Sequence, residues 1–193
     1  MDRYLVTRLR WVRPGDDLTT AQLSAMVRGM GFEDLAGTEH FTTGWGIAGT
    51  TRVRTTRKNN VQLGFVGGEG IGRYLFGLGS DDDLSAAGPD VHGNLTAVRS
   101  VGAFAGYQHV WSPDINTNIA YGYAHADTSA AMPADVTRTT QNAWANIILQ
   151  LTGKLFVGLE YQYGKRLVND GTQGENHRIQ MTLSYQEKAV RRR

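Results

Sequence analysis

The chain has no cysteine and only 4 prolines, its net charge is just +2, and it carries no long uninterrupted apolar run. Each scarcity narrows the reading. Without roughly eighteen consecutive apolar residues there is no transmembrane helix, but barrel strands alternate and their hydropathy averages out, so a membrane barrel stays open. A charge so close to balance gives no bulk signal for a polyanionic partner, and no nucleic-acid partner is expected. The missing cysteines fit a bacterial envelope protein but fit many cytosolic proteins too. Met1-Asp2-Arg3 leads straight into a strand-like run, so no signal peptide is visible. For an exported protein the expectation is that the true N-terminus is missing.

What the chain does have is a period of two. In Lys154 to Gln186, Leu155, Val157, Leu159, Tyr161 and Tyr163 share one parity, with Phe156, Gly158, Glu160, Gln162, Gly164 and Arg166 on the other. After a polar loop, Ile179, Met181, Leu183 and Tyr185 alternate with Arg178, Gln180, Thr182 and Ser184. Successive strand side chains point to opposite faces, so each run has one apolar and one polar face. Runs of about ten residues suit a tilted strand crossing a bilayer. Tyrosines gather toward the ends of the apolar faces, as interfacial girdles do.

The same rhythm recurs over 4–13, 44–54, from 61, and over 101–111, 115–126 and 142–151. Residues 20–30 read equally well as a helix (Leu23, Met26, Val27, Met30) or as a strand. Connections near 14, 57, 113 and 153 are short, and those near 32–43, 68–98, 127–139 and 167–176 are long. Short turns at one rim and long loops at the other are the pattern of outer-membrane barrels. The fold expected is all-β: an antiparallel transmembrane β-barrel with about 8–10 strands, one domain over 1–193 with a charged tail at 187–193. The count is about nine, whereas bacterial barrels have even numbers, which points to a fragment lacking upstream strands.

Arg8, Arg10, Arg28, Arg52, Arg54, Arg166 and Arg178 all fall on the polar parity and would face a lumen, with Glu160 the main acid among them. Arginine facing lipid costs about 2–4 kcal/mol at mid-bilayer, so any barrel would place them inside. The functional reading adds that arginine rings select anions. Arg73, in the long loop, is a candidate for a constriction or else a plain surface residue. The glycine-rich 67–72 lacks the Lys-Ser/Thr and the helix that a nucleotide site needs. Asp81-Asp82-Asp83 reads as a solvated acidic turn rather than a calcium site. The histidines lack metal-ligand spacing, and His109 faces outward with Tyr107 and Trp111. No catalytic residues, metal or cofactor are expected.

GEGIGRYL (68–75), GYQHVWS (106–112), LEYQYGKR (159–166) and NHRIQ (176–180), with the order of TGWGIAG and the closing strands, resemble the C-terminal part of the DcaP-like outer-membrane porin family. The likeness covers roughly 42–186 well and 4–41 more loosely. It implies a trimeric sixteen-stranded barrel in the bacterial outer membrane, in contact with lipid and lipopolysaccharide, passing small anionic solutes such as dicarboxylates. It also turns residues 20–30 toward strand. The tail EKAVRRR departs from the terminal aromatic that the family carries. Two other readings stand beside it: a small closed barrel acting as anchor or adhesin, and a soluble lipocalin-like binding barrel. Small barrels have interiors just wide enough for side chains.

Overall fold

The computed structural model describes residues 3–33, 37, 39–56, 58–78, 86–92 and 94–186. Nine strands form one antiparallel up-and-down sheet: β1 (Arg3–Arg13), β2 (Asp16–Glu33), β3 (Glu39–Arg54), β4 (Asn60–Glu69), β7 (Arg99–Ser112), β8 (Ile115–Ala126), β9 (Thr137–Gln150), β10 (Leu155–Val168) and β11 (Gln173–Tyr185). A small separate hairpin, β5 (Ala87–Pro89) with β6 (Leu95–Ala97), lies in the connection between β4 and β7. The sheet is open. β1 and β11 are its two edges, so the closed barrel expected from sequence is not what these strands make by themselves. Among the described residues no helix is long and apolar enough to cross a membrane.

The register joins odd-numbered residues to odd and even to even in every pair, apart from bulges near the strand ends. Leu9 pairs with Leu23, Leu23 with Gly49, Gly49 with Phe65, Phe65 with Ala103, and Ala103 with Tyr123. One parity therefore owns one face from edge to edge. Of the large apolar side chains exposed on the nine strands, all but Val6, Val12 and Phe104 are odd-numbered. Leu5, Ile179 and Met181 are each 76% exposed, which an aqueous surface would not favour over so wide a patch. The even face is concave: residues on β2, β3, β4, β7, β8 and β9 line one common cavity.

Residues 20–30 are strand throughout. Their helix-like spacing has a physical cause. Leu23 and Val27 face outward, whereas Met26 and Met30 lie on the even face, where Met30 is buried and Met26 packs against the core. Two apolar faces on one strand blur a period of two into something like 3.6. Two connections differ from expectation. β2 and β3 continue to Glu33 and Glu39, and β10 and β11 are joined by only four residues, 169–172. Asp81–Asp83, Arg57 and the tail 187–193 lie outside the described residues.

The core is not between two sheets. It comprises Ile71, Leu75, Leu78 and Val98 from the long connection, Ala124 and Ala126 from β8, and Met132 and Val136 from the next connection. This cluster sits on the even face, toward the rim with the long loops.

Candidate functional site

The long connection after β4 does not stay outside the sheet; it folds back over the even face. The turn begins at Gly70, whose φ of 74° is a conformation side chains other than glycine rarely adopt. Gly70 N–H donates to the Val98 carbonyl at 2.9 Å, which closes the base of the loop. A short 3-10 turn, Gly72–Tyr74, then carries the chain across. Ile71 fits over Gly46 and Leu75 over Gly102: a Cβ at those glycines would stand 2.8 Å and 2.2 Å from the two side chains. Two of the inward glycines are thus sockets for the loop.

Three polar contacts fix it. Arg28 Nη1 donates to the Gly70 carbonyl at 3.2 Å, and the guanidinium lies 5.8 Å from the Tyr74 ring centroid. Thr140 Oγ1 donates to the Phe76 carbonyl at 3.1 Å, and the Phe76 ring meets Trp144 edge-on at 5.8 Å. Outer connections are knit above it. Asn169 donates from its side chain to the carbonyls of Ser129 (3.0 Å) and Met132 (3.2 Å), and Ser129 Oγ donates to the Pro89 carbonyl at 2.6 Å.

Beneath the loop the even face changes character. Toward the short-turn rim it is a ladder of amides: Asn60 to Gln108 at 2.8 Å, Asn118 to Asn146 at 2.8 Å, and Asn146 to Glu160 at 3.2 Å. Nearer the loop it is an apolar hollow of about 570 Å³.

The arginines singled out from sequence all share the even parity of the register, but they do not form one ring. Arg8, Arg10 and Arg52 are exposed on β1 and β3, with the polar side chains Thr20, Gln22 and Ser24 of β2 between the two strands. Arg54 is paired with Asp16 at 2.7 Å near the short turns. Arg166 donates to the Asp135 carbonyl at 2.7 Å, at the long-loop rim. Arg178 stands exposed on the edge strand β11. Arg28 is 3% exposed, so it serves the loop rather than open water. Arg73 is exposed in the 3-10 turn, on a loop lying over the even face rather than on an outer surface loop. His109 lies outward with Tyr107 and Trp111, as the parity requires; its ring is 4.1 Å from that of Trp111. The loop's inward fold was the feature missed from sequence. Its signal was Ile71, Leu75 and Leu78, three apolar residues spaced four and three apart in an otherwise irregular stretch.

No family model matches the sequence, and no curated protein matches it. Among solved structures, the outer membrane channel DcaP of Acinetobacter baumannii matches with a TM-score of 0.78 at 23% identity, covering 94% of this chain and 51% of the channel's. This is the fold of an outer-membrane porin wall. The NanC porin also matches, with a TM-score of 0.51 at 9% identity, covering 95% of this chain and 94% of its own. The sheet thus fits half of the first porin much better than it fits the whole of the second. The resemblance to DcaP-like porins holds at the level of the fold, and this chain spans about half the length of that channel.

The connection between β10 and β11 carries a pH prediction. Asp170 accepts the Thr172 backbone N–H at 2.8 Å, and that hydrogen bond holds its carboxyl below the ordinary value. A depressed carboxyl stabilises the turn above its unfolded pKa, near 3.9, and the contribution is lost as pH falls through the folded value. Amide exchange at Thr172, measured relative to neighbouring amides, is expected to rise below about pH 4. Asp170→Asn should remove that pH dependence; an identical profile in the variant would refute the assignment.

Proposed function

We propose that this chain forms wall and constriction of an outer-membrane diffusion channel for small solutes, with a preference for anions and no catalytic step. The observation that carries it is the cluster of Arg8, Arg10 and Arg52, exposed on the concave face while the opposite face is apolar. Water-facing arginines focus a positive potential along a solvated path, and their planar forks suit carboxylates. In this reading the inward loop, whose 3-10 turn carries Arg73, narrows that path. A homotrimeric assembly and a dicarboxylate as solute belong to this proposal; the DcaP-like resemblance is their support.

Reversal potentials across a planar bilayer under a salt gradient test it. Chloride is expected to outrun potassium. Replacing Arg8, Arg10 and Arg52 together by serine should lower that preference, by about threefold at low ionic strength and less at high salt, because exposed charges are screened within roughly 8–10 Å. Cation selectivity, or no conductance from a folded sample, defeats the proposal.

A further inference from the structure

The hollow under the loop is made of the wrong material for a simple aqueous pore. It measures about 570 Å³, and none of the residues lining it is Asp, Glu, Lys, Arg or His. Its walls are Met26, Val66, Leu75, Phe76, Phe104 and Trp144. Closer to the short turns the even face also carries the hydrogen-bonded set Asn60, Gln108, Asn118, Asn146 and Glu160, beside apolar Val110, Ile148 and Phe156. Phe76 is 68% exposed and Phe104 45% exposed, on a face where water is the expected neighbour. Exposed aromatic side chains converging on a concave site mark binding more often than chance placement.

The hollow is also held open by construction. Arg28 and Thr140 fix the loop's backbone at Gly70 and Phe76, and Phe76 meets Trp144 edge-on. The ring geometry therefore does not need a ligand to form it. Preformed apolar pockets of about 300–1,000 Å³ with a few polar groups at the rim are the usual form of small-molecule sites. Here the polar groups of the lining are all uncharged, Thr50, Asn142 and Tyr74 among them.

From these features we infer that the hollow is a binding site for a small, uncharged, ring-containing apolar molecule, seated between the loop and the wall. No charged side chain lines the hollow, so a charged group seated in it would lose hydration without a direct ion-pair partner in the walls. The site is distinct from the arginine cluster on β1 and β3 and does not depend on anion preference.

The test uses the full chain in lipid nanodiscs, free of detergent, with 1-fluoronaphthalene observed by fluorine NMR. A saturable bound resonance, separate from the lipid-partitioned one and displaced by the ring currents of Phe76 and Trp144, is expected. Phe76→Ala should weaken binding about tenfold, the loss of one aromatic contact and its buried area. The exposed ring of Phe76 makes this variant tolerable to the fold. Phe41→Ala, on the outward face, should leave binding unchanged. A fluoronaphthalene sulfonate should bind more weakly than the uncharged ring. No bound resonance, as when other polypeptide or lipid fills the hollow, overturns the inference. So does binding unaffected by Phe76→Ala, or a sulfonate that binds more tightly. Conductance of the same samples, measured without the probe, reports separately on the channel proposal.

Discussion

Gly68→Ala abolishes assembly of the native sheet, whereas Gly67→Ala one residue away leaves it intact. A Cβ on Gly68 would lie 2.1 Å from the Trp45 carbonyl oxygen and 2.6 Å from the Gly46 Cα. Those are backbone atoms of the paired strand, so no rotamer change can yield. Relief requires β3 and β4 to separate, at a cost on the order of 3–5 kcal/mol. The Cβ of Gly67, on the other face, would meet only Val101 Cγ1 at 3.7 Å, an ordinary contact. Heat-modifiable migration on a gel and urea titration of folding in vesicles would both report the contrast. Equal behaviour of the two variants would show that the close approach is not required. The approach matters beyond β3 and β4 because it lies immediately before the Gly70 turn that sends the chain inward.

Arg28→Ala frees the loop and spares the sheet. The substitution removes a charge-assisted hydrogen bond to the Gly70 carbonyl, worth about 1.5–3 kcal/mol, and a cation–π contact to Tyr74 worth about 0.5–2 kcal/mol. The strand pairing of residue 28 with Tyr4 and Gly44 uses only backbone and survives. Protection of the Leu75 and Leu78 amides, which close turns within the loop, should fall by roughly thirtyfold or more, since 1.4 kcal/mol is tenfold. Amides in mid-β3 should not change. On the channel proposal, bilayer recordings of the same variant should also show larger current fluctuations. Arg28→Lys keeps the charge but not the planar fork, so it should recover only part of the protection. Unchanged loop protection in Arg28→Ala would rule out the latch.

The strands were readable because alternate residues belong to opposite faces, one apolar and one polar. Ile179, Met181 and Leu183 against Arg178, Gln180 and Thr182 leave little choice. Where that contrast fades, so did legibility. The β2–β3 hairpin tip around His40 and the start of β11 at Gln173–Glu175 lack a sustained alternation and read as loop, although their backbones remain paired. Met26 and Met30 failed for the converse reason: a covering loop makes the inner face apolar there. The arginine parity was legible. That Arg28 is buried was not, because its partner is a backbone carbonyl forty-two residues away, held there by the turn at Gly70. The apolar hollow was equally hidden, since its walls come from seven strands and a loop.

Nine is an odd number, and in an all-antiparallel meander the first and ninth strands point the same way. Stitching β1 directly to β11 would therefore demand a parallel seam, and two copies set side by side in the same orientation would need two of them. In a bilayer, where the proposed channel would sit, unsatisfied edges are not tolerated. An antiparallel join at both edges needs an odd number of intervening strands. Those strands must also set apolar side chains level with Leu5 and Met181 and polar ones level with Arg10 and Gln180.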